Sequence, residues 1–308
     1  MNNKITKQRL KTFLVYDLVK MVAITTIVLL CVIIIFNYFG KRPSEGQTFS
    51  VLIDGSEVIT GDGEEDFYSK VTNGREDKYY YGLSYNILDG NVTTISPSSA
   101  NPMETLVQTY TQLKDDDVVI AGKTVATYYL GRGSAMNFDT FISDFNSFLY
   151  VNNGFYASEA SSVEDINVEA VKTYFLKTYA KDARFLSESQ KQKGIEQEIE
   201  RIKGFKTNSD LFKKLLEVCP NIVATEQELS SFTLGGIEFS GKYALNLGAL
   251  GNDFINVYKT EQAGNEEEPY STNGVYLLLG NRTEGDAMFE TLSFILTLAK
   301  EYSNVLEG

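Results

Sequence analysis

The sequence predicts an α/β protein, with a single N-terminal transmembrane helix followed by a mixed α/β extracytoplasmic domain. Three observations predict it. Met21 to Phe36 (MVAITTIVLLCVIIIF) carries no charge and two hydroxyls in sixteen residues. Tyr38 and Phe39 extend that run to nineteen, near the roughly 20 residues a helix needs to cross the hydrocarbon core. Basic residues crowd one flank of the run. Beyond residue 47, short β-branched and aromatic runs alternate with stretches that are apolar at helical spacing, the mark of a mixed α/β chain.

Lys4, Lys7, Arg9, Lys11 and Lys20 precede the span against a single Asp17, while only Lys41 and Arg42 follow it before acidic residues take over. The positive-inside bias therefore puts residues 1–20 in the cytoplasm as a basic tail. Residues 21–39 are expected to meet the lipid bilayer, 40–47 to form a linker, and 48–308 to form the extracytoplasmic domain of a cell-membrane protein. A cleaved signal peptide is the competing reading, but Gly40-Lys41-Arg42-Pro43 offers no small-x-small site after the run. Cys31 follows a bulky leucine inside the apolar run, so it reads as a lipid-facing or packed thiol rather than a lipidation site.

The chain carries 28 basic and 41 acidic residues, for a net charge of −13, and the part beyond residue 39 is more acidic still, near −17. Such a surface repels nucleic acid and anionic lipid headgroups. With two cysteines, one inside the apolar run, no disulfide framework is expected. Histidine is absent, which removes Ser-His-Asp and Cys-His nucleophilic systems and the usual zinc sites, since each needs an imidazole. No metal or other cofactor is expected.

Thr48 to Ile53 (TFSVLI) reads as a strand ended by Asp54-Gly55, and Lys78 to Leu88 (KYYYGLSYNIL) as a second strand. Gly61 to Asp66 (GDGEED) does not match a calcium loop and reads as solvated. Asn101-Pro102-Met103-Glu104 opens a helix. Asp115-Asp116-Asp117 then reads as a solvated turn into Val118 to Ala121, a buried parallel strand. Gly131-Arg132-Gly133 lacks the third glycine of a dinucleotide fingerprint and reads as a loop between lobes. Phe138 to Tyr150 has helical apolar spacing and stops at Asn152-Asn153-Gly154. From Val163 to Cys219 the pattern is mainly helical, with a narrow Ile195, Ile199, Ile202 stripe on the charged stretch Ser187 to Lys203, and a shorter helix from Asp210 to Cys219. Strands are expected at 222–224, 243–247, 254–259 and 275–279, and a closing helix from Thr283 to Tyr302.

From Lys78 onward the order of elements resembles the extracytoplasmic solute-binding proteins of ABC importers, the type 2 periplasmic-binding fold. The resemblance rests on Glu104 to Ala121 (ETLVQTYTQLKDDDVVIA), Phe138 to Phe155 (FDTFISDFNSFLYVNNGF) and Gly274 to Tyr302 (GVYLLLGNRTEGDAMFETLSFILTLAKEY). It implies two lobes, the first of about 48–130 plus 270–308 and the second of about 131–269, with a ligand cleft between them. It also departs from that family, whose members are commonly lipidated or free and whose sugar-binding members often stack a tryptophan, absent here.

The first function expected is thus a membrane-anchored binding module that captures a solute or an envelope partner, an ABC transporter among the possible partners. Tyr79, Tyr80 and Tyr81 by the second strand, Tyr128 and Tyr129, and Arg132 are its candidate ligand contacts. The second is a structural or scaffolding subunit of an envelope complex. The third, a hydrolase built on a carboxylate pair such as Asp62 with Glu65 or Asp139 with Asp144, is the least expected, because pairs arise by chance among 41 acidic residues.

Overall fold

The structure is a computed structural model. It describes residues 6–12, 18–39, 48–63, 89–96, 116–219, 242–250, 257–261, 269–280 and 288–301, together with Thr105, Gln108 and Thr109. The chain divides into two compact units, Met1–Pro43 and Ser44–Gly308.

The first unit contains α1 (Lys7–Thr12) and α2 (Leu18–Phe39). In α2 the side chains are described at Leu18 and then without a break over 20–32, and every one of these is exposed. Among the described residues no helix is long and apolar enough to cross a membrane. The expected fold class, with its transmembrane helix over 21–39, is corrected accordingly to a mixed α/β protein.

In the second unit, β1 (Thr48–Asp54) lies between β3 (Asp89–Ile95) and β4 (Val118–Ala121), parallel to both. β9 (Tyr276–Gly280) runs antiparallel beside β4, with Val118 opposite Leu279 and Ala121 opposite Tyr276. Two short strands, β5 (Ala135–Met136) and β6 (Ala244–Asn246), share the far edge of β9 end to end. A separate small sheet joins β2 (Ile59–Thr60), β7 (Tyr258–Glu261) and β8 (Tyr270–Ser271).

Strand alternation sends each strand's side chains into two cores. Val51, Ile53, Val118, Ile120, Leu277 and Leu279 face one core. Leu52, Val119, Ala121, Tyr276 and Leu278 face the other, which is completed by Val125, Ala126, Tyr129 and Leu130 of α3 (Lys123–Gly131). The first core is larger. It takes Phe138, Phe141 and Phe145 of α4 (Phe138–Asn146), Ile202, Phe205 and Phe212 of α6 (Glu188–Val218), and Phe289, Leu292 and Ile295 of α7 (Met288–Glu301). α5 (Val168–Thr178) packs on α6 through Phe175, which joins Tyr179, Phe185 and Ile195 in a satellite cluster.

This arrangement overturns the two-lobed expectation as well. Phe138, Phe141 and Phe212, assigned to one lobe, share a continuous core with Val118, Ile120 and Leu277, assigned to the other. An interlobe cleft needs separate cores, and these residues have one.

Three local readings change with it. The expected breaks between Ser187 and Cys219 are absent: α6 is one helix of 31 residues, begun by a capping box between Ser187 and Gln190. Asp116 and Asp117 are buried rather than solvated, since the Asp117 carboxylate accepts the Ser50 N–H at 2.8 Å and Asp116 accepts the Tyr129 hydroxyl at 3.0 Å. Gly131-Arg132-Gly133 terminates α3, with Arg132 as the C-cap and Gly133 at φ 64°, a left-handed position that glycine takes without steric cost. The strand expected at 78–88, most of the helix opened by Asn101, and the strand expected at 222–224 lie outside the described residues.

Candidate functional site

In an open α/β sheet the crevice at the carboxyl ends of the parallel strands, where the connections diverge, is the usual place for a ligand. Here β1 sends the chain to β3 on one side, and β4, on its other side, leads into α3. The crevice between β1 and β4 is occupied by the chain itself. Asp54, fully buried at the end of β1, accepts the Gly122 N–H at 3.1 Å and the Ser56 N–H at 2.9 Å. Glu57 accepts the Thr124 N–H at 3.0 Å and the Thr124 hydroxyl. The first turn of a helix attracts anions through its free N–H groups and its dipole. Glu57 already supplies that anion to α3, and a Cβ on Gly122 would lie 2.1 Å from its carboxylate. No room for a phosphate remains there.

Among the described residues a concave surface lies elsewhere, along α4 and the turn after it. Residues Ser147–Asn152 form a π turn, whose extra residue per turn re-aims side chains and often marks functional positions. Its consecutive Phe148 and Leu149 both point inward, and Val151 is left 77% exposed. An open groove of about 520 Å³ runs here, lined by Asp139, Ile142, Asn146, Tyr150, Val151 and Glu159. Ser143, Ser147 and Ser158 add hydroxyls to its walls.

The groove is held rigidly. Lys213 on α6 donates to Glu159 Oε2 at 2.8 Å and to Asn146 Oδ1 at 3.0 Å, and Asn146 Nδ2 donates to Glu159 Oε1 at 2.8 Å. Lys206, also on α6 and 2% exposed, donates to the Glu159 backbone carbonyl at 3.1 Å and to Asp210. Its ammonium sits 6.0 Å from the centre of the Tyr150 ring. Burial foremost, then the Asp210 and Glu159 carboxylates, raise the Tyr150 phenol well above its ordinary pKa, with Ser209 opposing. Ser209 is not in hydrogen-bond geometry with it, and the buried Tyr150 Oη makes no hydrogen bond to the protein. Asp139 is freer, with its carboxylate 3.4 Å from Lys242 and 64% exposed.

The residues expected to contact a ligand are not at this groove. Tyr79, Tyr80 and Tyr81 lie outside the described residues. Tyr129 is 1% exposed, committed to the smaller core and to Asp116. Tyr128 is partly buried against that core, and Arg132 is exposed at the C-terminal end of α3. Of the carboxylate pairs, Asp139 lines the groove and Asp144 does not. Five positions apart on one helix, the two side chains diverge by about 140° and cannot flank one bond. Glu65 lies outside the described residues. Among the described residues no group of three or more His, Cys, Asp and Glu side chains is placed to hold a metal. The groove itself was missed because Ser158 and Glu159 reach α4 only through the fold; the one local signal was the stop at Asn152-Asn153-Gly154.

No protein-family model, curated protein or solved structure matches the chain.

Proposed function

We propose that the chain is an interaction module at a cell membrane, in which α2 contacts lipid and the Ser44–Gly308 unit captures a segment of an envelope partner protein in the groove along α4 and the π turn. The observation that carries this reading is Val151. An aliphatic side chain 77% exposed on a π turn, beside a groove wall where Lys206 and Lys213 both hold Glu159, is an apolar contact at a concave surface, as partner-binding sites require. The occupant is a peptide segment with an aliphatic or aromatic side chain for Val151 and Ile142 and a basic residue for Asp139. The net charge near −17 beyond residue 39 favours encounter with a basic partner.

The same reading favours a partner protein over a transported solute. Hinge closure on a solute needs two bodies, and the elements assigned to two lobes share one core. The scaffolding alternative merges with this reading, since both rest on a partner protein. The test is paired. Val151→Arg is expected to lower recovery of a membrane partner co-purified with the full chain by tenfold or more, with the thermal midpoint unchanged. A panel of small solutes is expected to leave that midpoint unmoved. Stabilisation by a solute, abolished by Val151→Arg, would instead make the groove a solute site.

A further inference from the structure

α2 differs from an amphipathic helix in having no polar side to turn to water. Met21, Ile24, Ile27, Val28 and Leu29 are 55–61% exposed, and Ile27 and Leu29 point about 160° apart. A protein groove or a second copy of the helix fits one defined stripe of such a surface, whereas acyl chains contact whichever side meets them. The two hydroxyls on this stretch are already satisfied within the helix. Thr25 Oγ1 donates to the Met21 carbonyl at 2.8 Å and Thr26 Oγ1 to the Val22 carbonyl at 2.9 Å, so neither needs water or a partner.

At the amino side of this surface the charge is predominantly positive. Lys7 and Lys11 are exposed on α1 and, four positions apart, share one side of it. Lys20 is exposed near the start of α2, and Asp17 is the lone acid before residue 40.

We propose that Lys7, Lys11 and Lys20 select anionic phospholipid, their ammonium groups pairing with acidic headgroups while the apolar surface of α2 contacts acyl chains. This rests on the lipid contact proposed above and adds to it a class of lipid. A cation at a negatively charged leaflet favours association by roughly fivefold, so the three lysines contribute a factor on the order of 100 over neutral lipid, against which the net acidic charge beyond residue 39 acts equally in wild type and variant. That preference is electrostatic, so it shrinks as salt shortens the Debye length.

The test is a competition. The full chain is synthesised cell-free with two vesicle populations present together: phosphatidylcholine alone, and phosphatidylcholine with 30% phosphatidylglycerol as an order-of-magnitude physiological charge, the second loaded with sucrose so that it pellets. Wild type is expected in the anionic fraction. Lys7→Gln/Lys11→Gln/Lys20→Gln is expected to divide almost evenly, and Lys177→Gln/Lys193→Gln, which removes two exposed lysines of the other unit, to behave as wild type. Even division of the wild type, or an unchanged preference in the triple variant, overturns the lipid selection and leaves lipid contact standing. Recovery of the wild type in neither vesicle population overturns both.

Discussion

The pair Glu198 and Arg201 offers the sharpest test of the packing. Both lie on α6, three positions apart, and they are 0% and 4% exposed. The Arg201 Nε and Nη2 donate to the two Glu198 oxygens at 3.1 and 2.8 Å, and Nη1 is buried without a hydrogen bond. Burial alone lowers the affinity of the guanidinium for its proton, but the carboxylate beside it outweighs that effect and leaves its pKa raised. Arg201 therefore stays charged at every working pH. Glu198→Ala strands that charge in a region that excludes water, and breaking such a pair from one side costs about 3–5 kcal/mol. Replacing both residues, as Glu198→Leu/Arg201→Met, removes the desolvation burden and is expected to be neutral or stabilising by about 1–4 kcal/mol. Urea unfolding followed by far-ultraviolet circular dichroism measures both. A loss below about 1 kcal/mol for the single variant would show that water reaches Arg201, and a double variant as weak as the single one would refute the reasoning.

Two further outcomes follow from local geometry. A Cβ on Gly280 would lie 1.8 Å from the Asp116 carbonyl oxygen, so Gly280→Ala must part β9 from the segment whose Asp117 carbonyl accepts its N–H; a loss of about 3 kcal/mol is expected in the same unfolding assay. The raised pKa of Tyr150 means that the folded state holds the phenol proton more tightly than the unfolded one. Its contribution is fully present below about pH 10, the ordinary tyrosine value, and declines as pH rises beyond it. Tyr150→Phe is expected to match wild type at pH 7, because the hydroxyl makes no hydrogen bond, and to lose less stability than wild type above pH 10.

The sheet was legible in the sequence where strands are buried on both faces. Val118 to Ala121 and Val275 to Leu279 are unbroken apolar runs, and β4 and β9 occupy those places as central strands. α4 was legible because its phenylalanines recur at helical spacing. α6 was not, because the face it buries includes Glu198, Arg201, Lys206, Asn208 and Ser209. These residues read as a solvated surface until their partners are known: Glu198 and Arg201 form an ion pair with each other, and Asn208 donates to Ser293 Oγ of α7 at 3.0 Å. The run of three aspartates misled for the same reason, since the Ser50 N–H and the Tyr129 hydroxyl that make burial tolerable are 67 and 13 positions away. The apolar run of α2 predicted a membrane span, whereas among the described residues no helix is long and apolar enough to cross a membrane. The groove depends on contacts between α4, the 158–159 segment and α6 that no local pattern encodes.

The central claim is capture of a partner at the π turn. A photo-crosslinking amino acid placed at Val151, and for comparison at the similarly exposed Leu186 (71%), reads it directly in living cells. The account predicts one discrete crosslinked protein from position 151, lost when Asp139→Lys reverses the groove's charge, and none from 186. Equal crosslinking from both positions, or none from 151, would contradict it.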